Sequence, residues 1–503
     1  MAENSELWVH FKHNLTHVMI SVQQSIIMAL LSTWQTIMSP QQPLTVNFDK
    51  DLIKKYNLTG PRYTSYPTAV VFNEDYDEQA HLDNLQKHHQ AAAHEPLSLY
   101  FHIPFCDTLC FFCACNKITT KKRDKADTYI DFLAQEIKLQ SAHIADTRVV
   151  EQLHFGGGTP TFLTAPQHHR LMDLIDQHFT LLTDERRDYS IEIDPREADE
   201  ATIQRLADTG FNRFSMGVQD VQEKVQKAVN RIQPISMTRD VIEACRSHNA
   251  KSINVDLIYG LPFQTLQSFE DTLEQIVALS PDRLSVFNYA HMPHLFMPQK
   301  RINESDLPSA DEKLDILQMT IQKLADAGYV YIGMDHFAKP DDELALAQQN
   351  GSLQRNFQGY TTHADCDLLA MGVSAISLFN NCFSQNIKTS DKYYQQVNDG
   401  HIPIMKGYRL SDDDLIRRQV IQDLSCHFLI NKNNLEQRFD INFDDYFANE
   451  LNSLQSMAED GLIDMTHNEI QVSAKGRLLI RNVCMVFDAY LKPASKQQFS
   501  RVI

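Results

Sequence analysis

From Leu97 onward, short β-rich runs alternate with stretches whose apolar residues recur at helical spacing. The runs are LSLYFHI (97–103), VVEQLHF (149–155), YSIEID (189–194), RFSMGV (213–218), INVDLIYGL (253–261) and RLSVFNYA (283–290); YVYIGMD (329–335) looks like a further one. Between them, TYIDFLAQEIKLQ and KLDILQMTIQKLADAG carry an amphipathic helical pattern. This alternation predicts an α/β fold with a parallel sheet under helices, and six or more units predict a full or partial barrel. Glu192, Asp194, Gln219, Asp256 and Asn288 collect towards the ends of the runs. Parallel strands are normally apolar on both faces, so polar groups there mark the rim where such barrels build sites. Any one of them alone would more often be a satisfied structural residue.

After about residue 408 the pattern changes. Ser411 followed by Asp412 to Asp414 makes a helix N-terminus, helical runs continue to Gly461, and 463–472 reads as a hairpin before a last helix, RLLIRNVCMVFDAYL. Helices with a hairpin suggest a winged helix, but residues 408–503 hold 11 Lys+Arg against 14 Asp+Glu, which favours a packing or lid domain over a DNA reader. The expected organisation is an extension over 1–50, a site-covering segment over 51–96, a barrel over 97–400 and a mainly helical domain over 401–503. Within the extension, residues 17–38 are apolar in patches, but Gln23, Gln24, Ser25 and Gln35 interrupt them. No run of about 20 apolar residues is present to span a bilayer. Met38 would serve as an alternative start.

The net charge of −19 excludes a general nucleic-acid binder, whose affinity rests on neutralising phosphates. It also requires local cations wherever an anionic ligand is held. Nine cysteines without a secretory signal point to a reducing cytoplasm, where clustered thiols serve metals more often than disulfides.

Four of those thiols, Cys106, Cys110, Cys113 and Cys115, fall within ten residues of LSLYFHIPFCDTLCFFCACNK. Structural zinc usually joins two separated Cys/His couples, and the other five cysteines supply no second couple. The last two thiols, one residue apart, have little slack to reach two corners of one cubane beside the others. Three thiolates at x3 and x2 spacing suit a [4Fe–4S] cluster with one iron left open to a small chelating ligand. HFGGGTP (154–160) ends the second run with glycines that let backbone approach a ligand closely. Alone it is only a turn.

The Cys-x3-Cys-x2-Cys loop after the first strand, followed one unit later by the glycine turn, resembles the radical S-adenosylmethionine (SAM) superfamily. Its fold would be a partial (β/α)6-type barrel with an extension, here joined to a mostly helical C-terminal domain. GPRYTSYPTA (60–69), IEIDPRE (191–197), FNRFSMGVQD (211–220), NVDLIYGLP (254–262), RLSVFNYAHMP (283–293), NFQGYTT (356–362) and MGVSAIS (371–377) narrow the resemblance to the oxygen-independent coproporphyrinogen III oxidases of haem biosynthesis. That resemblance runs from about Asp51 to the C-terminus. It implies oxidative decarboxylation of the ring A and B propionates of coproporphyrinogen III to vinyl groups, giving protoporphyrinogen IX and two CO2. A 5′-deoxyadenosyl radical from SAM would start each event, and two SAM molecules would bind near the cluster.

By motif position, the resemblance assigns Cys106, Cys110 and Cys113 to the cluster. Tyr100, Gly157, Glu192 and Ile376 would contact one SAM. Phe112, Gly158, Thr159, Gln219, Arg231, Asp256 and Ala290 would contact the other. Cys115 would be a family marker and not a ligand. Ala114 stands where a glycine is expected and gives up easy access to positive φ. The resemblance also implies a low-potential electron donor such as flavodoxin or ferredoxin, and a monomer. Arg62 is a candidate for pairing with a substrate carboxylate or, equally, for a surface ion pair. Competing readings are a haem chaperone on the same fold, a radical SAM enzyme that opens or methylates haem, and a simple electron-transfer iron–sulfur protein.

Overall fold

The computed structural model describes residues 46–89, 95–145, 147–363 and 366–491, and the apolar runs become a continuous parallel sheet. Its strands are β1 (Leu97–Ile103), β2 (Val149–Gly157), β3 (Asp188–Ile193), β4 (Arg213–Gln219), β5 (Ser252–Tyr259) and β6 (Arg283–Asn288). They pair in chain order, every neighbour parallel. Each is followed by a helix: α1 (Asp124–Ser141), α2 (Ala165–His178), α3 (Glu200–Asp208), α4 (Ile235–Ser247), α5 (Leu266–Ala278) and α6 (Ala310–Asp326). This is the six-unit partial barrel that the alternation predicts. Residues 17–38 and the alternative start at Met38 lie outside the described residues.

The helices follow from their sequences. In α1, Ala126, Tyr129, Ile130, Leu133 and Ile137 fall on one buried stripe, with Asp124 and Asp127 in the first turn and Lys138 in the last, as the helix dipole favours. Ser309 and Glu312 close a capping box at the start of α6. The strands alternate. In β4, Phe214, Met216 and Val218 are buried, whereas Ser215, Gly217 and Gln219 keep partial exposure. Polarity therefore extends along the inner face and is not confined to the strand ends. Gln152, His154, Ser190, Asn254 and Ser285 line a cavity of about 260 Å3 inside the barrel.

YVYIGMD differs from its expected role. β7 (Val330–Gly333) and β8 (His336–Ala338) form an antiparallel hairpin whose second arm pairs antiparallel with β6. Gly333 and Met334 both take positive φ, so the chain reverses there instead of starting a seventh parallel unit. At the other edge, β9 (Asp367–Met371) lies parallel to β1. It leads into antiparallel β10 (Ile376–Phe379), β11 (Cys382–Asn386) and β12 (Ile404–Arg409). Glu136 of α1 pins this extension: its carboxylate accepts from Gly372 N at 2.8 Å, Asn386 Nδ2 at 2.7 Å and Tyr393 Oη at 2.5 Å.

Ser411 caps α7 (Asp412–His427), its amide donating to Asp414 Oδ2 at 2.9 Å. The hairpin of Ile463–Met465 and Glu469–Val472 gains a third strand, Leu429–Asn431, that the helical pattern did not signal. The final run divides into a short 3₁₀ turn, Gly476–Leu479, and a helix, Ile480–Val486. The segment before β1 packs on this region. Arg481 Nε donates to the Pro61 carbonyl at 2.9 Å, Asn482 Nδ2 to that of Tyr56 at 2.8 Å, and Tyr63 Oη to Asp488 at 2.9 Å. The GPRYTSYPTA stretch is thereby held between barrel rim and C-terminal helices.

Candidate active site

After β1 the chain makes a loop closed at its neck. Phe105–Cys106 pairs with Ile118–Thr119, and the Thr120 amide donates to the Cys106 carbonyl at 2.9 Å. The neck leaves Cys110, Cys113 and Cys115 on one lobe above the C-terminal ends of the strands. All four thiols line a cavity of about 350 Å3. Thr159 Oγ1 donates to Cys106 Sγ at 3.5 Å, and Arg196 Nη2 and Arg231 Nη1 each lie 3.7 Å from Cys110 Sγ. Burial pushes the Cys106 thiol up to about 11. The Cys113 thiol is lowered, first by the hydrogen bond from Cys115 and then by Lys117. A metal ligand must be a thiolate, and the surroundings of Cys113 favour that form.

The carboxylates on the rim are arranged by the arginines and by the glycine turn. Asp194 accepts from Arg196 Nη2 at 2.7 Å and Arg231 Nη1 at 2.9 Å. Burial disfavours its charge, but the Arg231 charge and the Arg196 hydrogen bond outweigh this and hold its pKa below the ordinary value. Glu192 behaves likewise. Burial opposes it, yet His154 and the Gly157 amide, which donates to Glu192 Oε2 at 3.0 Å, keep it ionised. Asp256 goes the other way: burial raises it to about 6 despite hydrogen bonds with Ser285, Asn254 and Ser215.

The glycines leave room where a side chain would not fit. A Cβ on Gly157 would stand 2.5 Å from the His102 ring, and one on Gly158 would stand 2.7 Å from the Phe105 carbonyl oxygen. Gln219 takes φ 71°, and its Oε1 is buried without a partner. Converging soft thiolates, a glycine cradle and an unsatisfied carbonyl oxygen suit a three-thiolate [4Fe–4S] cluster carrying a small chelating ligand.

The structure sorts the residues named from sequence. Phe112, Gly158, Thr159, Gln219, Arg231 and Asp256 join the cysteines in the first cavity. Tyr100 and Ile376 line a second, of about 330 Å3, and Gly157, Glu192 and Cys115 border both. Both volumes lie in the range of small-molecule sites. Ala290 is apart from either, on a third cavity of about 590 Å3 that Arg62 also lines. Arg62 donates from Nη1 to Asp335 Oδ2 at 3.2 Å, so it is ion-paired and still faces that cavity. Sequence reasoning missed Arg196, although it lies within IEIDPRE, and His102, Phe357 and Gln358, which wall the second cavity. The signal for the last two was NFQGYTT, quoted as a motif without a role.

Comparison with known proteins follows the same lines. The pattern of the Radical SAM superfamily matches residues 100–276, and that of the HemN C-terminal domain matches 410–479. The oxygen-independent coproporphyrinogen III oxidase of Pseudomonas aeruginosa is 52% identical over 459 residues, 91% of this chain and 99% of the relative. That of Escherichia coli is 52% identical over 467 residues, 93% of this chain and all of the relative (100%). The solved structure of the Escherichia coli coproporphyrinogen III oxidase, described as a radical SAM enzyme, superposes with a TM-score of 0.84. It shares 51% identity and covers 89% of this chain and 100% of its own.

Proposed function

The chain belongs to the oxygen-independent coproporphyrinogen III oxidase family of radical SAM enzymes, and on that premise we propose that it converts coproporphyrinogen III to protoporphyrinogen IX. Each event takes a ring A or B propionate, –CH2–CH2–COO−, to a vinyl group. One hydrogen atom, one CO2 and one electron leave. The hydrogen on the β-carbon is not acidic, so a general base has no purchase on it. When bound, the [4Fe–4S] cluster and SAM supply hydrogen-atom abstraction by a carbon radical, once for each of the two propionates.

This chain's own residues hold and orient those groups. Cys106, Cys110 and Cys113 would ligate the cluster, and the methionyl end of SAM would bind beside them. Gly158 and Thr159 let the β2 turn close on it. Glu192 and Asp256 offer carboxylates to an ammonium or to ribose hydroxyls, and Arg231 a guanidinium to a carboxylate. Gln219 and Phe112 complete that set, while Tyr100, Gly157, Glu192 and Ile376 would receive the second SAM. Arg62 faces the substrate from the third cavity. The observation carrying the reading is the meeting of two ligand-sized cavities at Gly157 and Glu192, with Cys115 on their shared wall.

The same reading takes the reducing electron from a flavodoxin- or ferredoxin-type donor and places the enzyme in the cytoplasm as a monomer. Among the described residues, no helix is long and apolar enough to cross a membrane. The test is anaerobic incubation of the reconstituted protein with SAM, a reductant and coproporphyrinogen III. Protoporphyrinogen IX with two equivalents each of methionine and 5′-deoxyadenosine supports it. Stable haem binding without SAM cleavage assigns the chain to the chaperone reading instead.

A further inference from the structure

Two arginines line a small cavity, and among the described residues neither is paired with a carboxylate. Arg355 lies on the short strand Gln354–Asn356 and is only 9% exposed. Its Nη1 donates to the Arg62 carbonyl at 3.1 Å and its guanidinium covers the Tyr360 ring at 5.1 Å, but its Nε has no partner. Arg418 lies on α7. Its neighbour Arg417 pairs with Asp413 and Glu450, whereas Arg418 makes no hydrogen bond, ion pair or ring contact among the described residues. Burial and the Arg438 charge push its pKa down to about 10, and no acid nearby opposes them.

The cavity measures about 20 Å3 and is bordered on one side by Ser65 and Tyr66 of the GPRYTSYPTA segment. That is room for one carboxylate head or one water, and none for a pyrrole ring. Arg355 on its wall donates to the carbonyl of Arg62, which itself lines the third cavity, so the subsite adjoins the place proposed for the substrate. Arg355 is buried and Arg418 half-buried; burying a cation without a counter-charge is costly, and a protein with net charge −19 has acids to spare. Leaving both guanidiniums unanswered makes sense where an incoming anion completes the pair.

Resting on the proposed function, we propose that Arg355 and Arg418 form the anchoring subsite for a propionate of coproporphyrinogen III that the reaction leaves intact. An arginine pair stabilises the carboxylate as an anion and holds it against loss as neutral CO2, so it suits a retained propionate and would slow a reacting one. Because ring C and D propionates survive in protoporphyrinogen IX, the subsite binds substrate and product alike.

The test uses the reconstituted holoenzyme with Arg418→Gln, Arg418→Lys and Arg355→Gln, checked first for wild-type iron content and SAM affinity. Arg418→Gln should raise both the KM for coproporphyrinogen III and the Kd for protoporphyrin IX by about 10-fold or more, with kcat nearly unchanged, as expected for lost uniform binding. Arg418→Lys should recover part of the affinity. Protoporphyrin IX dimethyl ester, lacking both charges, should bind wild type and Arg418→Gln equally. An unchanged KM and product Kd in Arg418→Gln, with wild type turning over, overturns this proposal alone. So does a fall in kcat at constant KM, which would place the pair on the reacting arm. A wild-type protein that neither binds nor converts coproporphyrinogen III overturns the underlying reading as well.

Discussion

Arg231 Nη1 stands 3.7 Å from the sulfur of Cys110. The same nitrogen donates to Asp194 at 2.9 Å, and Arg196 approaches both groups from another side. A single buried carboxylate therefore aims two guanidiniums at Cys110.

Removing that carboxylate leaves two largely buried cations uncompensated. Asp194→Ala should destabilise the cluster-free protein by about 3–5 kcal/mol, the cost of breaking a buried pair. Thermal or denaturant unfolding of the apo-protein measures it. Unaltered stability would show that the arginines find other partners and that Asp194 does not organise them.

On the proposed reading, Cys106, Cys110 and Cys113 differ from Cys115 in role. Serine at any of the first three should abolish cluster assembly, read as iron and sulfide content. Cys115→Ser should keep a full cluster and impair turnover, because Cys115 sits on the wall between the two ligand cavities. Loss of the cluster in Cys115→Ser contradicts this division.

Gly158 has no room for a methyl group. The Cβ of alanine would meet the Phe105 carbonyl oxygen at 2.7 Å and the Pro104 carbonyl carbon at 2.8 Å, both backbone atoms that cannot swing away. Gly158→Ala should fold but bind SAM at least ~10-fold more weakly, since a displaced turn misplaces positioned donors. Equilibrium binding to the reconstituted protein checks this, and wild-type affinity would rule out the cradle.

Asp256 gives a pH signature. Burial raises its carboxyl to about 6 in the native state. The native protein then binds more protons than the unfolded chain between about pH 4 and 6, so this group lowers stability as pH rises through that window. Asp256→Asn should therefore gain stability relative to wild type at about pH 7 and not at about pH 4. It should bind SAM less tightly at both ends of that range. An equal stability difference at both pH values would contradict the assignment.

Much of this was legible in the chain. Val, Ile and Leu at strand spacing between amphipathic stretches sufficed for six parallel units, because in-register parallel strands need apolar residues on both sides. The cysteine loop and glycine turn were equally readable, since their chemistry resides in spacing. The polar inner face was only half read: Ser190, Ser215, Asn254 and Ser285 look like ordinary strand polarity until closure turns them inward. The extension strands escaped because CFSQN is short and polar, yet β11 is buried throughout by its neighbours. Arg418 could not be found from sequence. Beside Arg417 in SDDDLIRRQV it reads as one more charge on a helix, and only the packing of α7 against Tyr66 and Phe357 distinguishes the two.

The most direct measurement is isotopic. Coproporphyrinogen III bearing deuterium at the β-carbons of the ring A and B propionates is turned over anaerobically, and the 5′-deoxyadenosine is weighed by mass spectrometry. The account predicts one deuterium in each 5′-deoxyadenosine, with two equivalents formed per protoporphyrinogen IX. Unlabelled 5′-deoxyadenosine accompanying labelled substrate consumption would contradict it.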